Sequence, residues 1–153
     1  MTVGAAGGLN VVFKTLLNPG DEVIVPAPYF VEYAAYVSNH GGVLKTAETK
    51  EDFSLDVDSI ASLINEKTAA VLINSPNNPT GKIYSPEDIA SLSRILSEKS
   101  KLINREIYLI SDEPYREIVY KSAHVAPVLS AYNNSIVVTS YSKTLSLPGE
   151  RIG

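Results

Sequence analysis

Three short stretches of this sequence carry side chains that can do chemistry together. Asn74-Ser75-Pro76-Asn77-Asn78-Pro79-Thr80-Gly81 supplies amides, Ser111-Asp112-Glu113-Pro114-Tyr115 a carboxylate and a phenol, and Ser140-Tyr141-Ser142-Lys143 a hydroxyl and an amine. Pro148-Gly149-Glu150-Arg151-Ile152-Gly153 follows the last and adds a guanidinium. Each has a plainer reading: Asn-Pro-Thr-Gly is ordinary turn vocabulary, Asp-Glu-Pro suits a solvated bend, and a single lysine is usually a surface residue. Together these groups suit a ligand with a phosphate, an aromatic nitrogen and an aldehyde. Arg grips phosphate through paired N–H bonds, and a nearby carboxylate keeps an aromatic nitrogen protonated. A Lys amine, with an ordinary pKa near ~10.4, serves Schiff-base chemistry once burial lowers that value.

For these stretches to meet, each must lie at the same edge of one sheet. Val23-Ile24-Val25, Ala70-Val71-Leu72-Ile73, Ile107-Tyr108-Leu109-Ile110 and Ile136-Val137-Val138-Thr139 are continuous apolar runs, the pattern of parallel strands buried on both faces. Gly42-Val43-Leu44-Lys45 is a weaker strand candidate. Helical spacing runs from Gly7 to Leu17 and stops at Asn18-Pro19-Gly20; Tyr29–Ser38 and Asp58–Asn65 are further candidates. Ser85-Pro86-Glu87-Asp88 is the clearest helix start, and Ile89, Leu92, Ile95 and Leu96 then mark a buried face. Alternating strands and helices predict an α/β fold, a mostly parallel sheet flanked by helices. The loops after the strands are where ligands bind in such sheets, and the three chemical stretches are three of those loops.

Composition narrows the classes. The 153 residues fit one domain's worth of chain. Thirteen basic against 17 acidic residues give a net charge of −4, which is no footprint for nucleic acid. With no Cys and two His, thiolate catalysis and a Cys- or His-rich metal site are not expected. No apolar run approaches the ~20 residues of a membrane span, and Met1-Thr2-Val3-Gly4 is not expected to lead a signal peptide. The expectation is a cytoplasmic protein without metal, membrane or nucleic-acid partners.

The string Ser-x-Ser-Lys-x-x-x-x-Pro-Gly-x-Arg-x-Gly at 140–153 resembles the lysine signature of class I/II aminotransferases. These are pyridoxal-phosphate (PLP) enzymes of fold type I, in the aspartate aminotransferase superfamily. Asn-x-Pro-x-Asn-Pro-Thr-Gly at 74–81, Asp-x-x-Tyr at 112–115 and Pro-Gly-Asp-Glu-Val-Ile-Val-Pro-x-Pro-Tyr-Phe at 19–30 match the same family in the same order. The resemblance implies that Lys143 forms the aldimine with PLP and moves the proton between substrate Cα and cofactor. It implies that Asp112 pairs with the pyridine nitrogen, that Tyr115 and Asn78 donate to the ring's 3′ oxygen, and that Phe30 stacks on the ring. Ser140 and Arg151 would bind the phosphate, with Ala5 and Ala6 in the cup Gly4-Ala5-Ala6-Gly7 at the first helix start. Ala6 stands where relatives often have a hydroxyl, so weaker phosphate binding is expected. For Phe30, core packing remains the alternative. For the Gly4–Gly7 stretch, a dinucleotide loop is the rival, although its spacing is not Gly-x-Gly-x-x-Gly. Glu113 should point elsewhere, Lys82 and Lys121 should be surface lysines, and Ala27-Pro28 and Asn78-Pro79 align with cis bonds.

The resemblance further implies transfer of an amino group between an amino acid and a 2-oxo acid, by a homodimer in the complete protein. Complete members are more than twice this length. The expectation is therefore that residues 1–153 are part of a PLP-binding large domain, lacking the N-terminal segment and small C-terminal domain and inactive alone. None of Arg94, Arg105 and Arg116 matches the arginine that grips the substrate carboxylate. Two alternatives share the motifs: a PLP-dependent C–S lyase working by β-elimination, and a non-catalytic PLP-binding module of a regulator.

Overall fold

Five parallel strands form the centre, in the order β2-β1-β3-β4-β5. They are β1 (Glu22–Pro26), β2 (Val43–Ala47), β3 (Thr68–Asn74), β4 (Tyr108–Asp112) and β5 (Ser135–Val138). The helices are α1 (Gly4–Leu16), α2 (Glu32–Ser38), α3 (Val57–Leu63), α4 (Pro86–Leu102) and the short α5 (Tyr141–Thr144). The structure, a computed structural model, describes residues 1–120 and 123–153. Lys121 lies outside the described residues.

Strand alternation divides the core in two. Val23, Val25, Ala70, Leu72 and Ile110 face α1 and α2, packing with Leu9, Phe13, Tyr33 and Val37. Ile24, Val71, Ile73 and Leu109 point the other way, onto Ile60 of α3 and Ile89, Leu92 and Leu96 of α4. Both faces of β1, β3 and β4 are therefore dry, which is why their sequences read as unbroken apolar runs. β5 departs from that expectation: most of it is only half-buried, because it has a neighbour on one side alone. Thr139, expected as its last residue, is exposed and instead donates through its hydroxyl to the Glu113 carbonyl, at 3.1 Å.

Local chemistry sets the helix ends. Ser85 accepts from the Asp88 N–H at 3.0 Å while Asp88 accepts from the Ser85 N–H at 3.1 Å, a complete capping box with Pro86 at the first helical position. Asp56 caps α3 through the Ser59 N–H at 3.0 Å, so α3 starts and ends before the predicted span. α2 begins at Glu32 rather than Tyr29, since the preceding residues follow the cis Ala27-Pro28 bond in a non-helical loop. α1 starts at Gly4, earlier than the periodicity indicated, and Leu17 is its extended C-cap. Ser75-Pro76 and Asn78-Pro79 are also cis.

The chain lies β1, then β2 to one side, then β3 to the other, so the sheet's switch point falls between β1 and β3. A crevice opens there beyond the carboxyl ends of the strands. Among the described residues no helix is long and apolar enough to cross a membrane.

Candidate active site

All nine residues singled out from the sequence line one cavity of about 200 Å³ at that edge: Ala5, Ala6, Phe30, Asn78, Asp112, Tyr115, Ser140, Lys143 and Arg151. Each arrives by a different element. The N-terminus of α1 brings Ala5 and Ala6, and no side chain caps that helix end. The loop before α2 brings Phe30, and the loop after β3 brings Asn78. β4 ends in Asp112 with Tyr115 in the following turn, and Ser140 opens α5 with Lys143 inside it.

Asp112 is the centre of the arrangement. It is 6% exposed, and the Tyr33 hydroxyl donates to its Oδ2 at 2.6 Å. Its other oxygen, Oδ1, is buried and has no partner within the described residues. Buried carboxylate oxygens are normally paired, so this one marks a place for a donor. Burial raises the Asp112 pKa from 3.8 to about 6; the Tyr33 bond lowers it and the Glu113 charge adds to the rise. Burial, and then the Asp112 charge, push the Tyr33 phenol well above its usual range, so it remains a donor.

The Asn78 side-chain amide donates to the Tyr115 hydroxyl at 3.5 Å, pairing the two groups expected to act on one oxygen. Ser140 is 5% exposed, and its hydroxyl does not cap α5. Phe30 is half-buried and meets Tyr33 edge-on, with centroids 5.6 Å apart. Its ring thus serves both the core and the cavity wall.

Arg151 lies against the start of α1. Gly4 has φ +66°, and a Cβ there would sit 2.7 Å from an Arg151 guanidinium nitrogen. The Gly4 N–H donates to the Arg151 carbonyl at 3.0 Å, so the backbone holds Arg151 beside the helix end, while its guanidinium donates to the Pro148 carbonyl at 3.0 Å. A guanidinium beside a helix N-terminus that no side chain caps concentrates positive charge there.

Lys143 departs from expectation. It is exposed rather than buried, its Nζ 5.9 Å from the Tyr115 ring centroid. The cause is α5 itself, a four-residue helix at the rim with no buried residue.

Glu113, Arg116, Arg94, Arg105 and Lys82 have structural partners. Glu113 turns to the opposite face from Asp112, accepting from Ser111 at 2.8 Å and pairing with Arg116 at 2.6 Å. Arg94 pairs with Glu98 and Arg105 with Asp21, and Lys82 pairs with Asp52.

Two residues of the site were missed. Tyr33 looks like one more helical aromatic, and only its fold contact with Asp112, 79 positions away, reveals it. Asn74 belongs to a noted motif, but nothing in its type signals a buried side chain joined to both Asp112 and Asn78.

A parallel α/β sheet thus brings Asp112, Lys143 and Arg151 to its switch point, and sequence comparison gives the family. Residues 1–153 match aminotransferase class I and II along their whole length, and the chain belongs to that family. It is 37% identical over 155 residues to the aspartate/prephenate aminotransferase of Thermus thermophilus, covering 100% of this chain and 39% of that protein. It is 35% identical over 153 residues to a probable aspartate aminotransferase of Methanocaldococcus jannaschii, again covering 39% of the relative. The crystal structure of an aminotransferase from Eubacterium rectale superposes with a TM-score of 0.97 at 49% identity, covering 99% of this chain and 39% of that one. The chain thus spans about 39% of the length of these relatives.

Proposed function

We propose that this chain is the PLP-binding core of an amino-acid aminotransferase, moving an amino group between an amino acid and a 2-oxo acid. The observation that carries the reading is Asp112 Oδ1, a buried carboxylate oxygen with no partner among the described residues, on a residue lining a cavity that also holds a lysine and an arginine. PLP, when bound, supplies an aldehyde that takes up an amine and a protonated ring that accepts the electrons left at the substrate Cα.

The residues present fit that group. Asp112 would hold the ring-nitrogen proton, and the pairing would relieve the burial penalty on its charge. Asn78 and Tyr115 would donate to the ring oxygen, and Phe30 would cover one ring face. Ser140, Arg151 and the first N–H groups of α1 at Ala5 and Ala6 would bind the phosphate. Lys143 would hold the aldehyde carbon and then move the proton at substrate Cα.

Residues 1–153 would form part of the large domain, with an N-terminal segment, a small C-terminal domain and a second subunit completing the protein. The support is the 39% share of the relatives' length that the chain covers. A cytoplasmic location belongs to the same proposal and rests on family membership.

The test is to add PLP to the chain and record its absorption, then repeat with Lys143→Ala. A band near the visible edge that the variant lacks is expected; no band in the unsubstituted chain overturns the reading. In the complete protein, amino acid should bleach the band and 2-oxo acid restore it. Ammonia release would instead mark elimination, and no response would mark binding without turnover.

A further inference from the structure

We infer that Asn74 is a positioning residue that fixes Asp112 and Asn78 relative to one another through a single buried side-chain amide. The inference rests on the cofactor reading above and extends it to a residue that touches neither ring nor phosphate in that reading.

Asn74 closes β3 and is the register partner of Asp112 at the end of β4. Beyond this pair the two strands separate, and the Asp112 carbonyl is met by the Asn74 side chain, whose Nδ2 donates to it at 2.8 Å. The same side chain's Oδ1 accepts from the Asn78 N–H at 2.6 Å. Asn74 is 3% exposed, so water does not substitute for either bond. Asn78 in turn reaches the Tyr115 hydroxyl at 3.5 Å. One amide therefore ties the aspartate strand to the loop that carries the ring-oxygen donor.

The chemistry explains the residue type. The position needs one donor and one acceptor on a short stem. Aspartate keeps the acceptor but lacks the donor and adds charge beside Asp112; leucine has neither group; glutamine, one methylene longer, displaces the amide from both partners. Buried polar networks of this kind restrict a site to one arrangement when every member is satisfied.

The test needs no turnover. In the cofactor-free chain, the Asn78 N–H should exchange with solvent at least about tenfold faster in Asn74→Ala than in the unsubstituted protein, while the Val71 N–H in the middle of β3 is unchanged. With PLP bound, Asn74→Ala should move the pH midpoint of the absorption change by about one unit, tenfold in proton affinity. In an Asn78→Ala background most of that shift should vanish, because Asn74 reaches the ring oxygen by placing the Asn78 side chain, which that background lacks. Unchanged Asn78 exchange, an unmoved midpoint, or full additivity with Asn78→Ala each overturns the inference. Should Asn74→Ala not fold, Asn74→Ser and the unsubstituted protein still decide: rapid exchange of the Asn78 N–H and the Asn74 side-chain amide in the latter overturns it. Absence of any PLP band in the unsubstituted protein overturns the cofactor reading instead, and is distinguishable because the exchange result does not depend on it.

Discussion

Two aspartates sit at opposite edges of the same sheet, similarly little exposed and oppositely treated. Asp21 immediately precedes β1 at the amino edge and is 7% exposed; Asp112 ends β4 at the carboxyl edge and is 6% exposed. Burial pushes the Asp21 carboxyl up, but the Arg105 guanidinium at 2.7 Å and the Asn18 N–H at 2.9 Å outweigh it and hold the pKa below the usual value. Asp112 has one hydrogen bond and one bare oxygen, and its pKa rises to about 6. Neither is open to solvent, but Asp112 lies far deeper in the protein and has fewer partners, so depth and pairing act in the same direction. A carboxylate paired with a guanidinium at the amino edge closes the structure, whereas one at the carboxyl edge with a single phenol donor and a buried unpartnered oxygen leaves a demand for a cation. Conventional α/β sheets place ligands at that same carboxyl edge.

The sharpest way to break the comparison is to remove each charge. Asp21→Asn leaves Arg105 without its partner and should cost about 2–4 kcal/mol of stability, measured by urea unfolding. Asp112→Asn removes an incompletely paired buried charge, so in the cofactor-free chain it should be neutral or stabilising by about 1–2 kcal/mol at pH 7. A loss at position 112 as large as at position 21 would contradict the distinction.

The pH dependences should run in opposite directions. The folded-state pKa of Asp112 lies above its unfolded value, so folding binds its proton more tightly and stability falls as pH rises from about 3.8 to about 6. The fall should approach about 2–3 kcal/mol and level off above that window. Asp21 has a depressed folded value, so its contribution is present above the unfolded value near 3.8 and is lost as pH falls below it. Asp112→Asn should flatten the first slope and Asp21→Asn the second. Unfolding free energies across pH 3–7 check both.

Tyr33→Phe deletes the donor that stabilises the Asp112 charge and should cost about 1–2 kcal/mol at pH 7 while raising the Asp112 midpoint further. A midpoint that fails to rise would argue against the Tyr33 bond. The smallest expected effect is Ser85→Ala, far from either aspartate, which breaks the α4 capping box for about 1 kcal/mol without moving either titration.

Much of this was legible in the sequence. The strand runs 23–25 and 70–73 lie within β1 and β3, because two dry faces demand apolar residues at every position. The nine site residues converge because the motifs sit on loops that a parallel sheet brings to one edge. What stayed hidden depends on contacts between distant positions. Tyr33 is a helical aromatic until Asp112 comes beside it, and Asn74 is turn vocabulary until its amide is seen bridging two strand ends. The exposure of Lys143 was missed because its motif says nothing about the length of α5, four residues at the rim. β5 has the apolar run of a central strand and the burial of an edge strand, since neighbour count is a property of the sheet.

The central claim is that the bare oxygen of Asp112 is reserved for a protonated ring nitrogen. Carboxyl-carbon NMR of Asp112, titrated with and without PLP, tests it directly. The claim predicts a midpoint near 6 in the cofactor-free chain that drops below the ordinary carboxylate value of 3.8 once PLP is bound. The same midpoint in both states, with PLP shown to be bound, would contradict it.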